Sequence, residues 1–582
     1  MARTRKNASS NGNGKTFATQ QSLDSAVWSI CNILRRSNCA GALQYVPELT
    51  WILFLRILDE RETQEAEHCK AVGAPFTPSL QPPYRWQDWA APGGNKRVEL
   101  QGTTAIGTFF SFVNGDLIPH LKQLRDQPDV TPRQRVISEI MSGVERTRVD
   151  TERNFLDVLD KVHEISAANV DDTHIFPLSQ VYEGLLLKMG EKGNDGGQFF
   201  TPREIIRAMV RVIDPRIGAA VYDPCCGTGG FLAQSYEYMV RQAGDSLGPE
   251  QSETLKQHTF YGREKENLIY PVALANLVLH GIDQPNIWHG NTLTGGETYG
   301  GLFQNVPAQF DVVLTNPPFG GKEGKEARTS FAYKTGATQV LFLQHVMDKL
   351  APGGRCGIVL DEGVLFRTNE TAFVQVKRKL LNEFNVWCII SLPGGVFSAA
   401  GAGVKANLLF FTKGEPTERI WYYDLSDIKV GKKNPFTVKA LEEFWKLLPD
   451  RADSEHSWTM DIAERRAAAK READPLRAQA ARPAAQAAEL QRQIKVLDKT
   501  ADADRLATLK AQAKQYEAEA RELNARAEAI ENAVYDLKAV NPHAKSNVDT
   551  RTPEELLYII EAKSREVHEA LAIFRVKPDG VQ

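Results

Sequence analysis

Apolar and polar positions follow three different rhythms along the 582 residues. Through 20–165 the rhythm is helical. Val27, Ile30 and Leu34 recur at intervals of three and four, and Leu49, Leu53 and Ile57 continue the pattern with Trp51 and Phe54 beside them. Ser22-Leu23-Asp24 offers a helix start. A stretch rich in Pro and aromatic residues, 75–94, reads as a loop, and helical patterns return near 104–124 and 131–143. Between 198 and 415 short β-rich runs alternate with helical segments. The runs are 219–222, 259–262, 286–288, 310–315, 355–360, 386–392 and 406–412. Seven runs with helices between them predict a doubly wound α/β sheet, a Rossmann-like domain spanning 166–455.

The third rhythm occupies 456–582, where Ala, Glu, Arg, Lys and Gln dominate. Leu506, Leu509, Ala513, Tyr516, Ala520, Leu523, Ala527, Ile530, Val534 and Leu537 alternate spacings of three and four, which is a heptad seam. Leu490, Ile494 and Leu497 make a shorter seam, with 499–504 as the candidate hairpin tip. A coiled-coil arm for subunit contact and a helix packed on its own domain both fit; the many alanines and charged flanks favour the arm. A last helix is expected over 553–574 after a loop at 541–552.

Composition narrows the class. Hydrophobic content of 42% and charged content of 25% are those of an ordinary globular protein, and the length calls for two to four domains. No apolar stretch is long enough to span a bilayer. Seven cysteines in so long a chain make no disulfide framework, and adjacent Cys225-Cys226 suit neither a zinc knuckle nor an easy bridge, so a reducing cytoplasm is expected. The 1–19 segment is polar and glycine-rich and reads as a disordered tail. The net charge of −3 is not that of a protein that grips DNA unaided; a partner is expected to supply much of that grip.

The run 310–315 ends in Asn316-Pro317-Pro318-Phe319. Ligands of open α/β sheets bind at the carboxyl ends of strands. Asn316 can present its side-chain oxygen there. The prolines lack N–H groups, so the Pro317 carbonyl can face a substrate rather than join the ladder. Two acceptors beside an aromatic plate suit an exocyclic amine whose ring stacks on Phe319, as methylation of an adenine amine requires.

Upstream, Asp223-Pro224-Cys225-Cys226-Gly227-Thr228-Gly229-Gly230 links the first β run to a helix. Glycines admit a ligand close to the backbone, beside unpaired helix N–H groups. Neither GxGxxG nor a P-loop lysine is present. A donor without phosphates fits better: S-adenosylmethionine, with Asp223 for its charged end and Gly227, Thr228 and Gly229 for backbone contacts. Glu264 ends the second run, where an acidic residue can accept ribose hydroxyls. Asn291 follows the third run, either beside the donor's adenine or as a turn residue. Ahead of the first run, Gln198-Phe199-Phe200-Thr201-Pro202-Arg203 forms a loop and helix start that can close over the donor. No metal ligand set is expected.

Taken in order, GQFFTP, DPCCGTGGF, GREKEN with Asn276-Leu277 and His280-Gly281 downstream, GNTL, NPPFG and LPGGVF resemble the modification subunit of type I restriction-modification systems. That family comprises amino-methyltransferases acting on adenine N6 in DNA. The motifs cover 196–413, and the helical region before them resembles the one preceding the family's catalytic domain. The resemblance implies that Gln198, Phe199, Phe200, Thr201, Pro202 and Arg203, with Gly227, Thr228 and Gly229, form the donor pocket. It implies Glu264 on the ribose and Asn316, Pro317, Pro318 and Phe319 at the target base. Many relatives in the wider superfamily carry Asp where Asn291 stands. It further implies double-stranded DNA as substrate, a separate specificity subunit with two copies of this chain bound, and an optional motor-nuclease subunit. NPPF alone also occurs in methyltransferases of glutamine side chains and of RNA bases. A stand-alone methyltransferase and a non-catalytic scaffold with a methyltransferase-like domain therefore stay as alternatives.

Overall fold

The computed structural model describes residues 20–39, 42–103, 107–165, 201–295, 297–302, 306–397, 404–431, 434–497, 503–543 and 553–575. The chain divides into two compact units, one reaching Val540 and one beginning at Asn541.

The first unit opens with a helical layer. Helices α1 (Gln20–Arg36), α2 (Ala42–Val72), α3 (Pro132–Met141) and α4 (Glu152–His163) belong to it, and Trp51, Trp89, Phe109 and Phe155 are buried in its core. Thr131 and Thr151 start α3 and α4 by accepting hydrogen bonds from the N–H groups of Gln134 and Asn154, which satisfies helix-end donors that would otherwise lack partners.

Among the described residues ten strands form one sheet. They are β1 (Val221–Asp223), β2 (Phe260–Glu264), β3 (Asn286–Gly290), β4 (Glu297–Gly301), β5 (Phe310–Thr315), β6 (Leu350–Asp361), β7 (Phe384–Ser391), β8 (Ala406–Lys413), β9 (Arg419–Asp424) and β10 (Ser457–Asp461). The order is β10-β9-β7-β8-β6-β5-β1-β2-β3-β4. All seven expected strands are present and lie side by side as β7-β8-β6-β5-β1-β2-β3. Strands β9 and β10 widen one edge and β4 the other. Strands β3, β2, β1, β5 and β6 are parallel, whereas β8 runs antiparallel between β6 and β7.

Helices α5 (Arg203–Ile213), α6 (Gly230–Ala243), α7 (Tyr270–Leu279), α8 (Thr338–Lys349), α9 (Glu362–Phe366) and α10 (Thr371–Glu383) accompany the strands. Helix α7 is apolar nearly all round because it is sandwiched between the sheet and the helical layer. Arg133 of α3 fastens this junction, pairing with Glu65 at 2.8 Å and with Asp283, just beyond α7, at 2.7 Å.

After β10 the chain rises through α11 (Ile462–Val496) and returns through α12 (Ala503–Ala533), and these two helices pack on each other. The expected tip falls largely outside the described residues, as does the 1–19 tail. In the second unit, α13 (Pro553–Arg575) exposes Leu557, Tyr558, Ile560 and Val567.

Candidate functional site

The carboxyl ends of β1, β2, β3 and β5 converge on a cavity of about 340 Å³. Thr201, Asp223, Gly227, Thr228, Glu264 and Asn291 line it, together with Asn316, Pro318 and Phe319. Nine residues singled out from the sequence thus meet in one space, although they span 201–319. Pro202, Gly229 and Pro317 each adjoin a lining residue in the chain, and Arg203 follows Pro202 at the start of α5. Gln198, Phe199 and Phe200 lie outside the described residues.

Asp223 is 1% exposed at the end of β1. Its Oδ1 accepts from Thr315 Oγ1 at 2.7 Å and from the Cys225 N–H at 3.2 Å. Gly229 takes a left-handed conformation, φ +79°, which lets α6 start directly behind the loop. The Gly227 N–H donates to Glu264 Oε2 at 2.9 Å, and Glu264 Oε1 accepts from the N–H groups of Lys265 and Glu266, both at 2.8 Å. Glu264 therefore ties the glycine loop to the end of β2. Among the described residues neither Asp223 nor Glu264 has an ion-pair partner, and burial pushes each carboxyl up to about 7. Two buried acids without a cation suit a cationic ligand.

Asn291 accepts from the Leu293 N–H through Oδ1 at 3.0 Å, so the turn already uses its oxygen and the amide NH₂ is left for a ligand. Asn316 Nδ2 donates to Thr201 Oγ1 at 2.9 Å. Asn316 Oδ1 is buried and has no hydrogen-bond partner among the described residues. A buried acceptor of this kind costs about 1–3 kcal/mol unless a ligand completes it. Arg203, which is not among the lining residues, is half-buried near Glu237 and Arg207; burial, then Arg207, lowers its guanidinium to about 10. Among the described residues no group of His, Cys, Asp and Glu could hold a metal ion.

A family model described as N-6 DNA Methylase matches residues 173–472, and the HsdM N-terminal domain matches 23–161. The chain belongs to the methylase subunits of type I restriction enzymes. It is 35% identical to the EcoEI methylase subunit of Escherichia coli, over 73% of this chain and 82% of that one. Against the EcoKI methylase subunit of Escherichia coli K12 identity is 29%, over 75% and 79%. A chain solved in work on assembly and conformational transition of the type I restriction-modification system superposes with TM-score 0.62 and 32% identity, covering 96% of this chain and 98% of that one.

Within this methylase subunit several residues at the site carried no assigned role in the sequence. Asn276 of α7, 1% exposed, donates to the Thr228 carbonyl at 2.9 Å and steadies the glycine loop from behind. Phe397, from LPGGVF, meets Phe319 edge-on with ring centroids 5.1 Å apart. Gln339 donates to the Pro317 carbonyl at 3.3 Å. Asn276 and Phe397 stand in quoted motifs, so a signal existed; Gln339 stands in an ordinary apolar helix and gave none.

Proposed function

We propose that this modification subunit methylates adenine N6 in double-stranded DNA, with S-adenosylmethionine as donor. The observation that carries the reading is the buried, unpartnered Asn316 Oδ1, which shares one cavity with Asp223 and Glu264. S-adenosylmethionine, when bound, supplies an electrophilic methyl group on a sulfonium. Asp223, Gly227, Thr228, Glu264 and Asn291 are the residues that would hold it.

An adenine amine is a poor nucleophile because its lone pair is delocalised into the ring. Asn316 Oδ1 accepts one amine N–H and the Pro317 carbonyl the other. Both oxygens then stabilise positive charge developing on nitrogen, and they act from fixed positions. Alignment of the reacting atoms contributes much of the acceleration. The base cannot be reached inside a duplex, so it leaves the stack and lies on Phe319. Stacking on an aromatic ring is worth about 1–3 kcal/mol, comparable to the cost of unstacking.

A net charge of −3 supports a shared DNA grip. We place the chain beside a specificity subunit that reads the sequence, with two copies per specificity subunit and a motor-nuclease subunit as an optional addition. The test is a labelled-methyl assay on the reconstituted complex followed by nucleoside analysis. Wild type is expected to yield N6-methyladenine, and Asn316→Ala to lose transfer while keeping donor binding. Label on another base, or near-normal rates in the variant, would refute the reading.

A further inference from the structure

Gln339 sits in the first turn of α8 and is 2% exposed. Its Oε1 accepts from the Asp361 backbone N–H at 2.9 Å, and its Nε2 donates to the Pro317 carbonyl at 3.3 Å. A backbone N–H can only donate. The Asp361 contact therefore fixes which end of the amide is oxygen, and the NH₂ must face Pro317.

We propose that Gln339 is a positioning residue for methyl transfer, aiming the Pro317 carbonyl at the target amine. The inference rests on the amine-acceptor reading above. Pro317 and Pro318 have no N–H, so the turn after β5 cannot be held by ladder bonds at these positions. Its two proposed acceptors are held by side chains instead. Thr201 takes the Asn316 amide at 2.9 Å and leaves Oδ1 as the free end. Gln339 occupies one lone pair of the Pro317 carbonyl and leaves the second for an N–H of the substrate. The two anchors come from different elements, the lead-in to α5 and the start of α8, so the acceptors converge only in the folded chain. The same end of α8 is tethered on its other side, where Thr338 Oγ1 donates to Glu323 Oε1 at 3.0 Å. A misplacement of about 1 Å in a reacting array costs on the order of a hundredfold in rate.

The competing view makes Gln339 a brace between two loops with no influence on chemistry. A pH profile separates them. In Gln339→Glu one oxygen still accepts from Asp361, but the other, when ionised, opposes the Pro317 carbonyl; protonation restores a donor there. Asp361, Glu323, Glu370, Lys322, Arg328 and Arg367 surround this region and, like Asp223 and Glu264, are common to variant and wild type. The informative quantity is therefore the ratio of variant to wild-type single-turnover rate at each pH, in the reconstituted complex with saturating donor and duplex. Burial at this 2% exposed position would raise the carboxyl of Gln339→Glu, so we expect that variant to be down on the order of a hundredfold near pH 8 and to recover as pH falls toward about 6. We expect near-isosteric Gln339→Leu to be slow at every pH. Donor Kd should stay within about twofold in both, because no donor-pocket residue changes. A flat ratio for Gln339→Glu, or a wild-type rate for Gln339→Leu, overturns the proposal. Should either variant melt early, donor binding by the folded fraction and the rate per donor-binding site decide the same question. A wild-type complex that never methylates adenine overturns the functional reading and this inference with it.

Discussion

Thr315 and Asp223 join the two halves of the site. Thr315 Oγ1, at the end of β5, donates to Asp223 Oδ1, at the end of β1, at 2.7 Å. Both are buried, and Asn316 is the first residue after β5. The strand that leads into the Asn316–Phe319 turn thus also holds the Asp223 carboxyl, which the proposed function assigns to the donor. Thr315→Val removes that bond and keeps the strand shape. A hydrogen bond to a charged group is worth about 1.5–3 kcal/mol. Donor Kd should therefore weaken by about tenfold or more, as isothermal calorimetry can read. Unchanged donor affinity would show that Asp223 does not hold the donor as an ion.

The two buried acids give a pH dependence with a definite sign. Burial holds Asp223 and Glu264 up to about 7, against about 4 for carboxyls in an unfolded chain. Between about pH 4 and about pH 7 the folded chain binds more protons than the unfolded one, so the donor-free fold loses stability as pH rises through that window. A cationic donor favours the ionised carboxylates. Its binding should tighten from about pH 6 to about pH 8 and then level off, by up to about tenfold per pH unit for each acid coupled to it. Calorimetric Kd values and melting curves with and without donor measure both arms. Binding that is flat across this range would detach the acids from the donor.

Phe319 is half-buried, and fully buried Phe397 meets its ring at 65° between planes. Edge-to-face contact holds the Phe319 plate while one side stays open. Phe319→Ala should remove about 1–3 kcal/mol of base stacking. Phe397→Leu should leave the plate but loosen it, with a loss of about 0.5–1.5 kcal/mol, the worth of an aromatic pair. The fluorescence of 2-aminopurine at the target position, read in the full complex, reports both. An unchanged signal in Phe319→Ala would mean that the base rests elsewhere.

The sequence showed the sheet where patterns were local. The seven β runs match strands because each is a short apolar run between turn signals. It did not show that β8 runs antiparallel, since direction depends on partners distant in the chain. Strand β9 carries the run Ile420-Trp421-Tyr422-Tyr423, a β-rich signal outside the seven runs; β4 and β10 are short edge strands with little pattern. Candidate residues adjacent in motifs were legible because spacing alone assembles them. Gln339 was not, because its role arises from Asp361 and Pro317, each 22 residues away on opposite sides.

The paired helices make the last prediction. Arg477 pairs with Glu531 at 2.5 Å and Gln491 bonds Glu517, which sets one antiparallel register. Ala473, Ala480 and Ala487 recur every seven residues on α11, as do Ala513, Ala520 and Ala527 on α12, and all six are buried. The larger seam residues Leu506, Leu509, Tyr516, Leu523 and Ile530 are only half-buried. The heptad was therefore legible, but its alanines are the more deeply buried part of the seam, as small residues are where two helices pack closely. This packing also carries α11 through Pro475 and Pro483, residues that normally break a helix. Ala480→Leu inserts bulk where none fits, and overpacking of this kind costs about 1–3 kcal/mol. Hydrogen exchange should speed up in α11 and α12 while the strands β1, β5 and β6 keep their protection. If the hairpin is also the docking arm, co-purification with a specificity subunit should fall in parallel. Unaltered exchange in both helices would show that the alanine seam does not set their spacing.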